Sequence, residues 1–201
     1  MVTEHLSSSE RRAQILGEAT RVFAQRGFEG TTSAALARSC GVSEALLYKL
    51  FQTKKQLFTA MIEHKLASWE PLRVDPETER PLLEILTRLV RQVFERVAAD
   101  PDFVRLLRYS ELQESEFKRT FHEARGRRLV DELSALFAHR AEQGELRADL
   151  DPTLSATSFL CSTWHYAAGV KVFGHGDLYP DADDEQVAQF IASLYARGLA
   201  A

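Results

Sequence analysis

Apolar residues recur at intervals of three and four along almost the whole 201-residue chain, while the alternation of apolar and polar residues that is typical of strands is missing. Side chains three and four positions apart share one face of an α-helix. The pattern therefore predicts an all-α protein, and we expect no sheet. Hydrophobic residues make up 45% of the sequence, which is sufficient for a helical core.

The first 69 residues contain four predicted helices, and a residue able to cap a helix precedes each of them. Ser7 and Glu10 have the spacing of a capping box, which opens a helix that we expect to end at Gly27. Short helices are predicted over about 33–39 and 44–51. Three further residues are the predicted caps of the second, third and fourth helices: Thr32, Ser43 and Thr53.

The segment 70–81 contains three prolines and several charges, so a domain boundary is predicted there. Helical patterns then continue to the end of the chain. The predicted helices of this larger part run from Leu82 to Val97, from Pro101 onward, from about Glu114 to Gln143, from Asp151 to about Phe173, and from about Asp183 to Arg197.

The stretch TTSAALARSCGVSEALLYKLF, residues 31–51, reads as helix, glycine turn, helix, which is the spacing of a helix-turn-helix. A helix of this kind can enter the major groove of DNA with its first residues facing the bases. The residues expected to turn inward and lock the two helices are Leu36, Ala37, Val42, Leu47 and Phe51. Those expected to project are Glu44, Ala45, Leu46, Tyr48 and Lys49.

The charge distribution suits a nucleic-acid contact that is confined to the N-terminal part. The chain as a whole carries −4, but residues 1–60 contain eight basic and five acidic residues. A mildly basic N-terminal part therefore precedes an acidic body. Tyr48, Lys49, Lys54 and Lys55 lie where DNA phosphates would pass the inserted helix.

The N-terminal segment resembles the DNA-binding domain of the TetR family of bacterial transcriptional repressors. The matching residues are Thr31-Thr32, Leu36-Ala37, Gly41-Val42-Ser43, Leu47-Tyr48, Phe51, Lys54 and Leu57, together with Ala19, Phe23 and Gly27 of the first helix. The resemblance implies a helix-turn-helix DNA-binding domain over 1–69, with its motif at about 32–51. It also implies a helical effector-binding and dimerisation domain over 70–201.

The resemblance further implies that Ser33, Tyr48 and Lys54 meet phosphates, and that a second set meets bases: Ala34, Glu44, Ala45 and Leu46. Together with neighbouring polar and basic residues, the expected DNA-binding set is Thr32, Ser33, Ala34, Arg38, Ser43, Glu44, Ala45, Leu46, Tyr48, Lys49, Lys54 and Lys55. Two positions depart from the family pattern. Ala45 replaces a common Gly or Pro, and Leu50 replaces a His or Tyr that contacts the DNA backbone.

The function implied is that of a cytoplasmic repressor, without a cofactor or metal, that binds a palindromic double-stranded operator as a homodimer and is released by a small, mainly apolar effector. No segment approaches the roughly 20 apolar residues of a membrane span, so no membrane contact is expected. The expected dimer face is an apolar stripe on the last helix: Val187, Phe190, Ile191, Leu194 and Tyr195. The alternative for this stripe is an intramolecular core face.

The effector pocket is expected to draw on large residues of the C-terminal helices. The candidates are Phe103, Leu107, Tyr109, Phe121, Phe159, Cys161, Trp164, His165 and Tyr166. The alternative for each is ordinary core packing. Cys161 and His165 are four apart and could also hold a metal or pair as thiol and base, although no third ligand accompanies them at metal-site spacing.

Several other interpretations of the sequence remain open. The chain could be a helical protein-interaction module that does not bind DNA, or a small enzyme that uses Cys161 and His165. The basic run 125–128 could form a second nucleic-acid surface, but a solvated helix face is favoured. For Cys40, in the turn of the helix-turn-helix, burial is favoured over a redox role. The two cysteines belong to no CxxC pair, so no disulfide framework is expected.

Overall fold

The computed structural model describes residues 7–69, 71–111, 126–178 and 182–201. Within these ranges the chain forms nine α-helices, one 3₁₀ helix and no strand, apart from an isolated bridge between Leu146 and Ala200. The helices are α1 (Ser8–Arg26), α2 (Ser33–Ser39), α3 (Glu44–Phe51), α4 (Lys54–Ser68), α5 (Leu82–Ala99), α6 (Pro101–Glu111), α7 (Arg127–Glu142), α8 (Pro152–Lys171), η1 (His175–Leu178) and α9 (Asp184–Leu199). The prediction of an all-α fold is confirmed. The first part of the helix predicted from Glu114 lies outside the described residues.

Helix starts follow the capping residues of the sequence. The Ser7 backbone N–H donates to Glu10 at 2.8 Å and the Glu10 N–H donates to Ser7 Oγ at 3.2 Å, which completes the predicted capping box. The hydroxyls of Thr32, Ser43 and Thr53 each accept a backbone N–H three residues on, at 3.1 to 3.2 Å. The predicted caps of α1 to α4 are therefore confirmed.

The chain divides into two compact units. The first comprises Met1–Glu70 and Asp102–Lys118, and the second comprises Pro71–Pro101 and Arg119–Ala201. Almost all of α6 therefore belongs to the same unit as α1 to α4. The functional division at residue 69, between a DNA-binding and an effector-binding segment, stays a prediction.

The core of the first unit is formed where α1 packs on α4. Ile15 and Ala19 of α1 and Met61 of α4 are completely buried. Close by, the Phe23 and Phe58 rings meet edge to face, with centroids 5.1 Å apart. Such aromatic pairs stabilise a core beyond the area that they bury.

The second unit is a helical layer in which α8 packs on both α5 and α7, and α9 packs on α5. Its core is aliphatic and aromatic, with fully buried Val90, Leu133, Leu136 and Phe159 among its members. None of the helices in the described ranges combines the length and the apolar character needed to span a bilayer.

The proline-containing segment 71–81 is attached to α7 by two charged side chains. Glu132 accepts the backbone N–H of Val74 at 3.0 Å. Arg140, whose side chain is only 6% exposed, donates to the carbonyl oxygen of Thr78 at 2.6 Å. Because buried charged groups need hydrogen-bond partners, these contacts fix a segment that has no secondary structure of its own.

Candidate nucleic-acid interface

The turn between α2 and α3 is built from local hydrogen bonds and one glycine. Gly41 has a φ of 64°, a left-handed conformation that favours glycine. The Val42 N–H then donates to the carbonyl oxygen of Ala37 at 3.0 Å. The next residue, Ser43, caps α3. The sequence Cys-Gly-Val-Ser therefore produces a tight turn that joins the two helices, as the sequence predicted.

Apolar side chains lock the two helices together. Leu36, Ala37, Leu47 and Phe51 are all at most 4% exposed, and Val42 is half-buried. Burial of such side chains is the main stabilising force of a small helical unit. The predicted inward set is therefore confirmed, with Val42 at its edge.

The opposite face of α3 is open to solvent. Glu44, Ala45, Tyr48 and Lys49 are exposed and Leu46 is half-buried. Tyr48 is 43% exposed, which is unusual for so large a side chain. The projecting surface predicted from the sequence therefore exists, and it presents one carboxylate, one phenol and one ammonium group.

Hydroxyl groups cluster where α2 approaches α3. Ser33 Oγ and Tyr48 Oη form a hydrogen bond of 2.7 Å. The capping hydroxyls of Thr32 and Ser43 act as acceptors towards the backbone, so the proton of each hydroxyl remains available for another acceptor. The other predicted DNA-binding residues of α2, Ala34 and Arg38, are exposed.

Lys54 differs from the open phosphate contact that the sequence predicted. Its half-buried ammonium group donates to the carbonyl oxygens of Phe28 at 2.9 Å and of Thr31 at 3.0 Å. The same group lies 4.3 Å from the centroid of the Phe28 ring. Two of its three N–H donors are thus used inside the protein. A phosphate contact by Lys54 stays a prediction that involves the third, while Lys55 is exposed.

Arg12 was not among the predicted site residues, although the structure places it at the far end of α3. Its guanidinium group donates to the carbonyl oxygen of Leu50 at 3.0 Å and lies over the Phe51 ring. Arg12 and Leu50 are 38 positions apart, so no local pattern could have revealed the contact. α3 ends at Phe51, and the next residue, Gln52, has a positive φ of 52°.

Cys40 is buried beneath the turn. Its side chain is 5% exposed and its Sγ points to the carbonyl oxygen of Ile15 at 3.8 Å. Burial, helped by the charge of Glu18, raises the pKa of the Cys40 thiol to about 11. The thiol is therefore protonated at neutral pH, in agreement with the favoured expectation of a packed cysteine.

The predicted effector residues occupy different environments. Phe103 and Leu107 are buried in the first unit, while Phe159 is buried and Trp164 and Tyr166 are half-buried in the second. Phe121 lies outside the described residues, as does the side chain of Tyr109.

Cys161 and His165 are both exposed on the outer face of α8. They lie opposite the buried Phe159 and Thr163 on the same helix. Both side chains are open to solvent in the single chain, and their place in an effector pocket stays a prediction. In the described part of the chain, no group of three or more His, Cys, Asp or Glu side chains is arranged to hold a metal ion.

Thr163 is a further residue that the sequence did not single out. It is completely buried, and its Oγ1 has no hydrogen-bond partner among the described residues. Among the described residues, the other buried threonines are Thr20, Thr31 and Thr87, and each donates to the carbonyl oxygen four residues earlier. Burying a hydroxyl without a partner costs about 1–3 kcal/mol. The Thr163 side chain is thus an unpaired polar group within the core of the second unit.

The apolar stripe predicted on α9 has two faces. Val187 and Ile191 are each 8% exposed and turn inward, whereas Phe190 is 63% and Leu194 is 55% exposed. Tyr195 is half-buried. Core packing therefore accounts for Val187 and Ile191, while a dimer face stays a prediction for Phe190 and Leu194.

A groove of about 620 Å³ lies between α5 and α9. Its walls include Thr87 and Arg91 of α5 and Gln189 and Phe190 of α9. Arg91 forms a bidentate ion pair with Glu185 beside it. None of the predicted effector residues lines this groove, but one predicted dimer residue does.

Comparisons with known proteins agree with this geometry. Residues 15–61, which contain the helix-turn-helix, match the family described as bacterial regulatory proteins, tetR family. Residues 83–194 match the tetracyclin repressor-like C-terminal domain. The chain belongs to the TetR family. It is a DNA-binding transcriptional regulator of the helix-turn-helix type, in a family whose members are in general not enzymes.

The chain has relatives whose names indicate different biological roles. It is 31% identical over 160 residues to the HTH-type transcriptional regulator RutR of Escherichia coli K12, an alignment that covers 79% of this chain and 74% of RutR. It is 30% identical over 146 residues to the nucleoid occlusion factor SlmA of Mannheimia succiniciproducens, covering 72% of this chain and 66% of that relative.

Solved TetR-family structures share the fold over nearly the full chain. A TetR transcriptional regulator from Agrobacterium tumefaciens superposes with a TM-score of 0.71 at 23% identity, covering 95% of this chain and 94% of its own. AibR, solved with isovaleryl coenzyme A and operator DNA, gives a TM-score of 0.65 at 26% identity, covering 92% and 97%.

Proposed function

We propose that this protein is a repressor that binds a palindromic operator as a homodimer and is released by a small, mainly apolar effector. The observation that carries the proposal is the exposed outer face of α3, held rigidly by a helix-turn-helix whose inner face is buried. Such a helix fits the major groove of B-DNA.

The side chains on α3 support base reading by few contacts. Glu44 offers the one carboxylate, which can accept a hydrogen bond from cytosine N4, while Ala45 and Leu46 can meet a thymine methyl group. Each such contact is worth about 1 kcal/mol or slightly more. One copy of α3 is therefore too weak to specify a genomic site, and two copies on a palindrome are needed.

Exposed apolar side chains support a dimer through α8 and α9. Leu154 of α8 is 67% exposed, and Phe190 and Leu194 are exposed on α9. The two helices are neighbours, because the Ser162 and Tyr195 hydroxyls form a hydrogen bond of 3.0 Å. Exposed apolar side chains on neighbouring helices are a common feature of protein interfaces. The occupant that we propose is the same surface of a second copy, which would also cover Cys161 and His165.

An effector site within the second unit is supported by Thr163 and its neighbours. Phe159, one turn earlier on α8, is fully buried. The Tyr166 ring stacks on Phe94 of α5, with centroids 5.8 Å apart. An apolar ligand with one hydrogen-bonding group would satisfy the Thr163 hydroxyl. AibR was solved in complex with isovaleryl coenzyme A, an acyl compound, which supports a ligand of this class.

Release would follow from dimer geometry. Half-sites one helical turn apart place two copies of α3 about 34 Å apart. An effector that binds better to a dimer with another spacing shifts the population away from the form that binds DNA.

Selection of duplexes from a random pool tests the DNA-binding proposal. We expect enrichment of a palindrome, and the Glu44→Ala variant should change the preferred base at one symmetric position of each half-site. Glu29→Ala is the matched control, because Glu29 is an exposed carboxylate of the same unit outside the helix-turn-helix. Failure to enrich any sequence would instead favour a protein-interaction module. Repeating the selection with a panel of small apolar acids and acyl thioesters should identify compounds that abolish enrichment.

Molar mass in solution tests the dimer. Leu194→Glu should yield monomers in light scattering, because it places a charge in the proposed interface. Phe173→Glu is the control, since Phe173 is 41% exposed but follows α8. Equal molar masses for wild type and Leu194→Glu would exclude this interface.

A further inference from the structure

Arg12 lies beside the C-terminal end of α3, although it belongs to α1. One guanidinium N–H donates to the carbonyl oxygen of Leu50 at 3.0 Å, and the guanidinium carbon lies 4.3 Å from the centroid of the Phe51 ring. Phe51 is 3% exposed and part of the helix-turn-helix core. Arg12 is therefore held against the rigid end of α3 by a hydrogen bond and by a cation–π contact.

The Arg12 side chain is exposed and forms no salt bridge with any residue of the described ranges. A guanidinium group has five N–H donors, and only one is used in the contact with Leu50. Stacking on one ring also leaves its second face uncovered. Arg12 thus presents an uncompensated positive charge with several free donors next to α3.

An α-helix in the major groove runs between two phosphate backbones and needs contacts on both flanks. Successive residues are about 100° apart around a helix, so Tyr48 and Leu50 lie about 200° apart, on opposite flanks of α3. The Tyr48 flank carries the Ser33–Tyr48 hydroxyl pair. The side chain of Leu50 has no polar atom, so α3 itself offers no donor from that position.

We propose that Arg12 supplies the missing contact: one edge of its guanidinium holds the end of α3 and the remaining N–H groups bind a DNA phosphate on the Leu50 flank. This inference rests on the proposed DNA-binding function. Arginine suits the task because its planar group can bind a phosphate through two parallel hydrogen bonds.

The chain offers a matched control in Arg26. It lies on the same helix, is exposed, and forms no salt bridge within the described ranges. Fourteen residues of α-helix separate Arg12 from Arg26, which corresponds to about 21 Å. Replacement of either arginine by Met changes the net charge equally, so only the position of the charge differs.

The experiment measures the affinity of the full-length dimer for a labelled duplex of about 30 base pairs, long enough for two half-sites one turn apart, over a range of salt concentrations. Each lost phosphate contact lowers the slope of log K against log salt by about 0.9, so Arg12→Met should lower it by about 1.8 for a dimer. Its affinity should fall roughly tenfold. Arg26→Met should keep the wild-type slope, and Arg12→Lys, which retains a cation, should stay close to it.

The outcomes separate a phosphate contact from a purely structural role. An unchanged slope in Arg12→Met overturns the proposal even if affinity falls, because α3 would then be displaced without loss of an ionic contact. The proposal is also overturned if the slope of Arg12→Lys is as low as that of Arg12→Met. Equal losses of affinity and slope in Arg12→Met and Arg26→Met would overturn it too. Thermal unfolding checks that each variant is folded, and Arg12→Gln, which also removes the charge, replaces Arg12→Met if that variant is not folded. If the wild type binds no duplex, the proposed function itself fails.

Discussion

The hydroxyl groups of Ser33 and Tyr48 lie 2.7 Å apart and join α2 to α3 on the side of the helix-turn-helix that faces solvent. Each hydroxyl carries one proton, and the hydrogen bond between them uses one of the two. The pair therefore keeps a single O–H donor for a phosphate, whichever residue donates within it. Two residues that the sequence suggested as separate phosphate contacts act as one unit in the structure.

A double-mutant cycle tests this pair. Ser33→Ala and Tyr48→Phe should each weaken binding to the selected duplex, and the double variant should lose less than the sum, with a coupling of about 0.5–3 kcal/mol. Ser134→Ala is the control, because the Ser134 hydroxyl also forms a hydrogen bond, with the carbonyl oxygen of Val130, but lies on α7 in the second unit. Strict additivity in fluorescence-anisotropy titrations would show that the two hydroxyls bind DNA independently.

Lys54 should contribute to stability as well as to binding. Lys54→Met removes two charge-assisted hydrogen bonds to the loop between α1 and α2, so the free energy of unfolding should fall by about 2 kcal/mol. Lys49→Met, an exposed control on α3, should change it by less than about 0.5 kcal/mol. Denaturant titrations measure both values. If Lys54→Met also lowers the salt slope of duplex binding, the third N–H contacts a phosphate; a normal slope would restrict Lys54 to the structural role.

The attachment of segment 71–81 should depend on pH through Glu132. Burial raises the pKa of Glu132, but the hydrogen bonds from Val74 and Arg128 and the charge of Arg73 outweigh it and hold this pKa below the ordinary 4.5. A lowered folded pKa means that the ionised group stabilises the fold above about pH 4.5. This contribution is lost as the pH falls through the pKa of Glu132 in the folded protein.

At pH 7 the free energy of unfolding of the Glu132→Gln variant should therefore be about 2 kcal/mol lower than that of the wild type. This difference should shrink below pH 4.5. Glu84→Gln serves as the control, because the Glu84–Arg80 ion pair is more than half exposed and worth little. Unfolding curves at several pH values provide the measurement. A constant difference down to pH 3 would contradict the assignment.

Replacement of Thr163 by Val should stabilise the protein by about 1 kcal/mol, which corresponds to about 2–4 °C in Tm, because the two side chains have the same shape and the unpaired hydroxyl is removed. Thr87→Val should be neutral or destabilising, since Thr87 donates to the carbonyl oxygen of Leu83 at 2.7 Å. A lower Tm for Thr163→Val would mean that the hydroxyl is satisfied in solution. Loss of the response to an effector would identify Thr163 as its hydrogen-bonding partner.

The two thiols should react at very different rates. With a pKa of about 11, only about one Cys40 thiol in a thousand is ionised at pH 8, and burial blocks access as well. Cys161 is exposed in the single chain and should react with iodoacetamide first. In the proposed dimer its labelling should slow as protein concentration rises. Rapid labelling of a folded Cys161→Ser variant would contradict the buried state of Cys40.

Local features of the fold could be predicted because their physics is local. Ser7, Thr32, Ser43 and Thr53 cap helices through neighbours three residues away, so the sequence alone contains the necessary information. The start of α9 follows the same rule, although its capping box between Asp183 and Gln186 was not predicted.

Contacts between distant residues could not be predicted from one sequence. Nothing near Arg12 points to Leu50, and nothing near Arg140 points to Thr78, which is 62 positions away. Lys54 appeared free because its partners are carbonyl oxygens, which every residue has. These contacts depend on how helices pack, which periodicity does not specify.

The α9 stripe illustrates a second limit. Apolar residues at 187, 190, 191 and 194 lie within an arc of about 100° around the helix, and hydrophobicity does not reveal which part of this arc meets the same chain. Exposure in the structure separates the inner Val187 and Ile191 from the outer Phe190 and Leu194. Only the outer pair remains available for a second copy.

The short connection between α3 and α4 has a mechanical consequence. Gln52 and Thr53 are the only residues between α3 and α4, and the positive φ of Gln52 together with the cap at Thr53 leaves this connection no slack. Because the connection is so short, we expect a rotation of α4 about its base to move α3 as well. A change of a few degrees in the orientation of α4 would redirect Tyr48 and Lys49 together, without any change in the shape of the surface that carries them.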